Sequence, residues 1–220
     1  MRKVIFNIHG IGIPKRDLES GEAPYWITPE FFAEAVALAR DSAHQVAFTF
    51  DDGNLSDLET GAPVLNEAGM TAQFFVLTGR IGMLGSLGET EIRTLQEMGH
   101  AIGSHGWDHV DWTGLDAAGR TREIDQAKAR LSEICGRQIE AASIPFGRYN
   151  AGVLKALRQA SFATAYSSDG GAVRGRPFPV PRISLTGNMT RTDLETILDG
   201  RESLKRRLRR AVTTRLKRVI

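Results

Sequence analysis

Two adjacent carboxylates followed by glycine, Asp51-Asp52-Gly53, and two imidazoles four residues apart, His105 and His109, carry the most chemistry in this chain. Carboxylate and imidazole are ligands for a divalent cation, and His-x-x-x-His spacing brings both rings to one side when the segment makes a helical turn. Two neighbouring carboxylates allow a division of labour, one binding the cation and the other staying free as a base, with Gly53 permitting a tight turn. Two His and one Asp leave positions open for water and a carbonyl, the arrangement of a catalytic rather than a structural zinc. Each piece alone has an ordinary explanation. Asp-Asp-Gly is a common surface turn, and an isolated His pair is more often solvated or packed in a core than ligating.

Their placement outweighs those explanations, because each stands where an apolar run ends. Phe48-Thr49-Phe50 leads into Asp51, Ile102-Gly103-Ser104 into His105, Ser143-Ile144 into Pro145-Phe146-Gly147, and the run at 4–8 into His9. Seven short β-type runs, at 4–8, 45–50, 71–77, 101–104, 142–144, 162–166 and 180–185, alternate with helical patterns at 29–40, 58–68, 91–98, 117–135, 151–160 and 191–198. Thr28, Asp116, Asn150 and Thr190 stand at N-cap positions, and Gly69, Gly99, Gly136 and Gly200 at the C-terminal stops. Alternating βα units imply parallel strands. About seven of them predict an α/β fold closed, or nearly closed, into a barrel, with an open doubly wound sheet as the competitor. In such a barrel the carboxyl ends of all strands open on one face, where active sites assemble.

With 220 residues, 41% hydrophobic and 25% charged, the composition is that of one globular domain. The single cysteine, Cys135, excludes an internal disulfide and a Cys-based zinc site. The apolar run after Met1-Arg2-Lys3 is too short for a secretory signal, and no stretch approaches the roughly 20 apolar residues of a spanning helix. These features predict a cytoplasmic protein. Residues 201–220 hold nine Lys/Arg and one Glu, against an acidic body at 1–200, and their leucine and valine steps predict a basic amphipathic helix. Its apolar stripe could dock on the barrel. The alternative is an anionic membrane surface, at the inner face of a membrane. Nucleic acid is a poor third, since no aromatic residue interleaves the charges. With every site residue inside 4–198, the tail is expected to be separable from catalysis.

Thr49-Phe50-Asp51-Asp52-Gly53, the run from Gly99 to His109, and Ile144-Pro145-Phe146-Gly147 resemble the first three motifs of the polysaccharide deacetylase family, the NodB-homology domain, and the resemblance covers about 4–198. It implies a distorted, incomplete (β/α) barrel that removes N-acetyl groups from a saccharide. It also implies Asp51 as base, Asp52, His105 and His109 as ligands of a divalent metal, usually zinc, and Pro145, Phe146 and Gly147 as a groove wall whose backbone N–H near Phe146 meets the oxyanion. This sequence departs from the family pattern twice. Ser143 stands where the family carries an Arg that pairs with the base, leaving Arg148 or Arg182 to substitute. No His follows His109, where the family commonly has a general acid. His44 and His100 precede their strands, so His9 is the remaining imidazole with the right address, its competing reading being a structural role beside Gly10-Ile11-Gly12. Trp107, Trp112 and Tyr25-Trp26 could stack on sugar rings, although burial is the commoner fate of aromatics. The Gly-rich stretch 79–86 reads as a rim loop. Rival functions are an amide hydrolase acting on a small substrate, a ferrous oxygenase, which also uses two His and a carboxylate, and a glycan-binding module that has lost turnover.

Overall fold

A computed structural model describes residues 2–201 and 204–219. The chain runs β1 (Lys3–Ile8), β2 (Gly10–Ile11), β3 (Trp26–Ile27), α1 (Pro29–Arg40), β4 (Gln45–Phe50), α2 (Ala62–Glu67), β5 (Ala72–Val76), α3 (Glu89–Glu97) and β6 (Ala101–Ser104). It continues through α4 (Ala117–Arg120), α5 (Ala127–Cys135), β7 (Ala141–Ser143), α6 (Ala151–Gln159), β8 (Thr164–Ser167), β9 (Val180–Pro181), β10 (Ile183–Ser184), α7 (Arg191–Asp199) and α8 (Leu204–Val219). The expected caps are formed. Thr28, Asp116, Asn150 and Thr190 accept backbone N–H groups of the first turns of α1, α4, α6 and α7, each worth about 1 kcal/mol.

Eight strands form one sheet in the order β10-β1-β4-β5-β6-β7-β8-β9, and every paired neighbour is parallel. The two ends of that order, β9 and β10, are the two halves of one extended segment. Its first half pairs with β8 and its second with β1, so Arg182 sits on the seam that closes the barrel. Its backbone N–H donates to the Ser167 carbonyl at 2.9 Å, and the Leu185 N–H donates to the Asn7 carbonyl at 2.9 Å. Counted as one, β9 and β10 return the seven strands read from the sequence.

Strand alternation sorts the side chains. Phe48, Phe50 and Phe74 meet Phe32 of α1 or one another outside the barrel, with Phe50 and Phe74 stacked at 4.5 Å and Phe32 edge-on to Phe50 at 5.7 Å. Truncating such a buried ring costs about 3–5 kcal/mol. The opposite parity, Asn7 on β1 and Thr49 on β4, points into the barrel with Ser143 and Arg182, and all four are buried. The interior around Arg182 is therefore polar, with the Phe75 and Tyr166 rings 5.3 Å and 5.6 Å from its guanidinium.

Two features were not foreseen. β2 and β3 form a separate two-stranded parallel sheet that pins both ends of the loop at 12–25 beside the carboxyl ends of β1 and β4. Gly10 is required there, since a Cβ would lie 2.4 Å from the Trp26 ring. The basic tail forms α8 as expected, but the described part of its apolar stripe faces outward. Leu208, Val212 and Leu216 are all exposed, while Lys217 Nζ reaches the Asp169 carboxylate at 2.7 Å and the Gly147 carbonyl at 2.9 Å. Docking through the apolar stripe is thus corrected to docking through a cation. Glu202, Ser203 and Ile220 of the predicted helix lie outside the described residues.

Candidate active site

Asp51 follows β4 with the inward parity of Thr49, which aims its carboxylate at the seam. Arg182 grips both oxygens, Nη1 to Oδ1 and Nη2 to Oδ2, each at 2.8 Å. The guanidinium also donates to Asn7 Oδ1 at 2.7 Å and to Ser143 Oγ at 2.7 Å, and Asn7 Nδ2 donates to Asp51 Oδ2 at 2.9 Å. Burial pushes the Asp51 carboxyl up, but Arg182, followed by His105, outweighs burial and holds it well below the usual carboxylate range. Ser143 thus leaves room for, and binds, an arginine arriving from another strand. Arg148, the other candidate, pairs instead with Asp111 at 3.2 Å.

Asp52 turns away from Asp51 because its backbone is left-handed, φ 77°, followed by Gly53 at φ 69°. His109 and Phe146 share that conformation at φ 55° each, so three of the four such non-glycine residues among those described belong to this site. Backbone held there costs roughly 1–3 kcal/mol per residue and marks places over-determined by their surroundings. The expected helical turn between His105 and His109 is absent, replaced by a loop with Gly106 at φ 89°. Its shape comes from Glu123, a buried carboxylate in the wide helical turns between α4 and α5. Glu123 accepts the N–H groups of Trp107 and Asp108, each at 2.9 Å, and the Trp112 indole N–H at 3.3 Å.

That loop and the Asp52 turn bring three donors together. His105 Nε2 lies 3.4 Å and His109 Nε2 3.6 Å from Asp52 Oδ1, a buried oxygen with no hydrogen-bond partner among the described residues. His105 Nδ1 is 2.9 Å from the Ser143 carbonyl and His109 Nδ1 is 2.7 Å from Glu19 Oε2. Both partners can only accept, so each Nδ1 carries a proton and each Nε2 is the ring atom turned toward Asp52. An orphaned carboxylate oxygen and two imidazole Nε2 atoms, all within 4.8 Å of one another, fit a divalent cation. Nearby, Asp57 is fully buried with neither carboxyl oxygen partnered among the described residues. Burial, then Asp52 and Asp51, push its pKa well up.

Asp51, Asp52, His105 and His109 line a cavity of about 190 Å³ together with His9, Glu19, Glu22, Tyr25, Phe146, Gly147 and Arg182. His9 therefore lies on the active face. Its ring is 4.8 Å from that of Tyr25, its Nδ1 is buried without a partner, and burial lowers its pKa against the pull of Asp52 and Asp51. Phe146, half exposed, lies tilted against the His109 ring at 4.4 Å. Pro145 is buried behind this wall and does not line the cavity. Trp107 lies outside it, covered by the Arg122 guanidinium at 4.7 Å, and Trp112 is core. Glu123 and Glu19 were missed by sequence reading. Nothing in their local pattern separates them from solvated charges on a helix and in a loop.

A family model described as polysaccharide deacetylase matches residues 39–165. A chitin deacetylase of Pestalotiopsis sp is 34% identical over 111 residues, 50% of this chain and 37% of that protein. A candidate polysaccharide deacetylase of Bacillus subtilis (strain 168), YxkH, is 31% identical over 127 residues, 58% of this chain and 46% of that protein. The chain spans less than half the length of these curated relatives. The Streptococcus pyogenes deacetylase PplD, solved in complex with acetate, shares the fold with a TM-score of 0.79 at 19% identity, over 90% of this chain and 98% of that one. With the family match extending over more than half of its length, the chain belongs to the polysaccharide deacetylase family.

Proposed function

We propose that this chain hydrolyses the acetamide of an N-acetylated saccharide, with Asp52, His105 and His109 holding a divalent cation, zinc by preference. One observation carries the reading: a second carboxylate, Asp51, stands beside the ligand set, kept anionic by Arg182 and spared from the ligand role. An oxygenase needs no such base, and a glycan-binding module has no use for it. When bound, the cation supplies Lewis acidity to the amide carbonyl and to a water. Asp51 takes the proton of the attacking water, and the Arg182 grip fixes which oxygen lone pairs face it. Gly147 and Arg148 donate their N–H groups inward to the Ile144 and Pro145 carbonyls. Of this turn's amides, that leaves Phe146 as the one we assign to the oxyanion. His9 is assigned to delivery of a proton to the leaving amine. Held neutral by burial, it acts as a relay, giving a ring proton to the leaving nitrogen and regaining the one that Asp51 took from the water.

The cavity, about 190 Å³, is below the roughly 300–1,000 Å³ of pockets that enclose whole small molecules. A saccharide would insert its acetamide and leave neighbouring sugars outside, along the exposed Phe146. The test is acetate release from a panel of N-acetylated glycans and nucleotide sugars with and without chelator. Chelator-sensitive release lost by at least ~10²-fold in Asp51→Asn, the usual worth of a positioned base, is the expected result. Turnover indifferent to both chelator and Asp51→Asn would refute the reading.

We further propose that the tail addresses the enzyme to an anionic bilayer at the cytoplasmic face. The exposed Leu208, Val212 and Leu216 on a helix rich in Lys and Arg support it. No helix among the described residues is long and apolar enough to cross a membrane.

A further inference from the structure

We propose that Glu19 is a positioning residue for His109, and that its carboxylate, braced by Arg80, raises the affinity of the Asp52, His105 and His109 set for a divalent cation. The inference rests on the metal-site reading given above. Glu19 stands twenty residues before the segment matched by the family model, on the first long loop of the chain, so it belongs to none of the motifs that define the site.

The two candidate His ligands are oriented by different means. His105 is fixed by a buried backbone carbonyl, that of Ser143, which the barrel itself holds still. His109 has no such support. It sits at the end of a loop, in left-handed backbone, and its Nδ1–H is taken by a side chain from a distant part of the sequence at 2.7 Å. A carboxylate on the far nitrogen of a ligating imidazole fixes its tautomer, orients the ring and makes Nε2 more basic.

Glu19 is in turn held at both ends. Its other oxygen, Oε1, forms a short ion pair with Arg80 Nη2, a residue of the Gly-rich rim loop. Its backbone is closed into a turn in which the Glu19 N–H donates to Glu22 Oε2 at 2.8 Å and the Glu22 N–H donates to the Glu19 carbonyl at 3.1 Å. Glu22 is gripped by the Arg16 guanidinium, and Arg16 Nε donates to Asn54 Oδ1 at 2.9 Å, two residues after Asp52. A continuous path of hydrogen bonds therefore runs from the turn carrying Asp52, through Arg16, Glu22 and Glu19, to His109. The spacing of two ligands that are distant in sequence is set by a loop that ligates nothing.

The charges agree with this role. Arg80 has one guanidinium nitrogen, Nη1, buried without a partner among the described residues, and its Nη2 pairs with the Glu19 carboxylate. Deleting Glu19 would leave that cation uncompensated near a site meant for another cation. Deleting Arg80 instead would free Glu19 to move without removing its charge.

The experiment measures zinc affinity of the full chain, stripped of metal, by competition with a chromophoric chelator. Glu19→Ala should weaken zinc binding by about 10–100-fold, the usual effect of losing an outer partner of a ligand. Glu19→Gln, whose amide oxygen still accepts from Nδ1–H, should fall between it and wild type. Arg80→Met should weaken binding less than Glu19→Ala and add nothing in the Glu19→Ala background. The urea midpoint of the metal-free protein, which a purely structural role would move, should change little, since Glu19 is 42% exposed. Wild-type zinc affinity in both Glu19 variants, with binding abolished in His105→Ala, would overturn the role of Glu19 and leave the metal site standing. Absence of zinc binding in the wild type would remove both.

Discussion

Replacing Arg182 with Met removes a guanidinium that is 1% exposed and leaves a side chain of similar reach in the polar interior of the barrel. Both Asp51 oxygens lose their charged partner, and Asn7 Oδ1 and Ser143 Oγ lose a donor. Deleting one member of a buried ion pair costs about 3–5 kcal/mol, because the other charge stays uncompensated. At about 2–4 °C per kcal/mol for a chain of this size, Tm should fall by roughly 6–20 °C. Asp51→Asn with Arg182→Met removes the stranded charge and should recover about 2–3 kcal/mol relative to the sum of the single effects. The pH dependence has a defined sign. Asp51 titrates below its unfolded value, so its contribution to stability is complete above about pH 4–5 and is lost as pH falls. The gap between wild type and Arg182→Met should therefore narrow toward pH 3. Urea unfolding of metal-free proteins at both pH values, followed by circular dichroism, measures all of this. A cost under about 1 kcal/mol at pH 7, or strict additivity in the double variant, would show that Arg182 does not hold Asp51 in solution.

Asp52→Ala and His105→Ala should each lose stoichiometric metal by elemental analysis, whereas Asp51→Asn keeps it. His9→Gln should lower kcat by about 10²-fold or more with KM little changed if His9 relays the proton, and an unaltered kcat would return His9 to a structural role. Truncation after residue 200 should abolish salt-sensitive binding to vesicles of acidic lipid. It should also slow hydrolysis of a small soluble substrate, because Lys217 braces the Gly147 carbonyl beside Phe146. Full activity of the truncated protein would show that this brace is idle.

What the sequence could and could not disclose follows from which interactions are local. Asp51 and His105 were legible because each ends an apolar run and strand ends in a parallel barrel share one face, Asp52 because it neighbours Asp51, and His109 through its four-residue spacing from His105. The cap residues were legible because capping is decided within four residues. The loop at 105–109 was misread as a helical turn because its shape comes from Glu123, fourteen or more residues away, and from Gly106, where a Cβ would lie 2.6 Å from that carboxylate. The choice between Arg148 and Arg182 depended on the seam, a contact between the first and last strands that no periodicity encodes. Trp107 looked like a sugar platform until Arg122 was found lying on it. The tail was recognisable as an amphipathic helix, but the face it docks with depends on long-range partners of Lys217, the Asp169 carboxylate and the Gly147 carbonyl among them.

The seam makes catalysis a report on the completeness of folding. The segment that zips the cylinder shut is the last strand of this sheet in chain order, and it delivers the cation that grips Asp51. A chain with six strands in place and this one adrift would have its candidate ligands assembled and Asp51 ungripped. On the metal-site and base roles proposed above, such a species would take up metal and hydrolyse poorly. Near the onset of denaturation, activity should then fall while most secondary structure and bound metal persist.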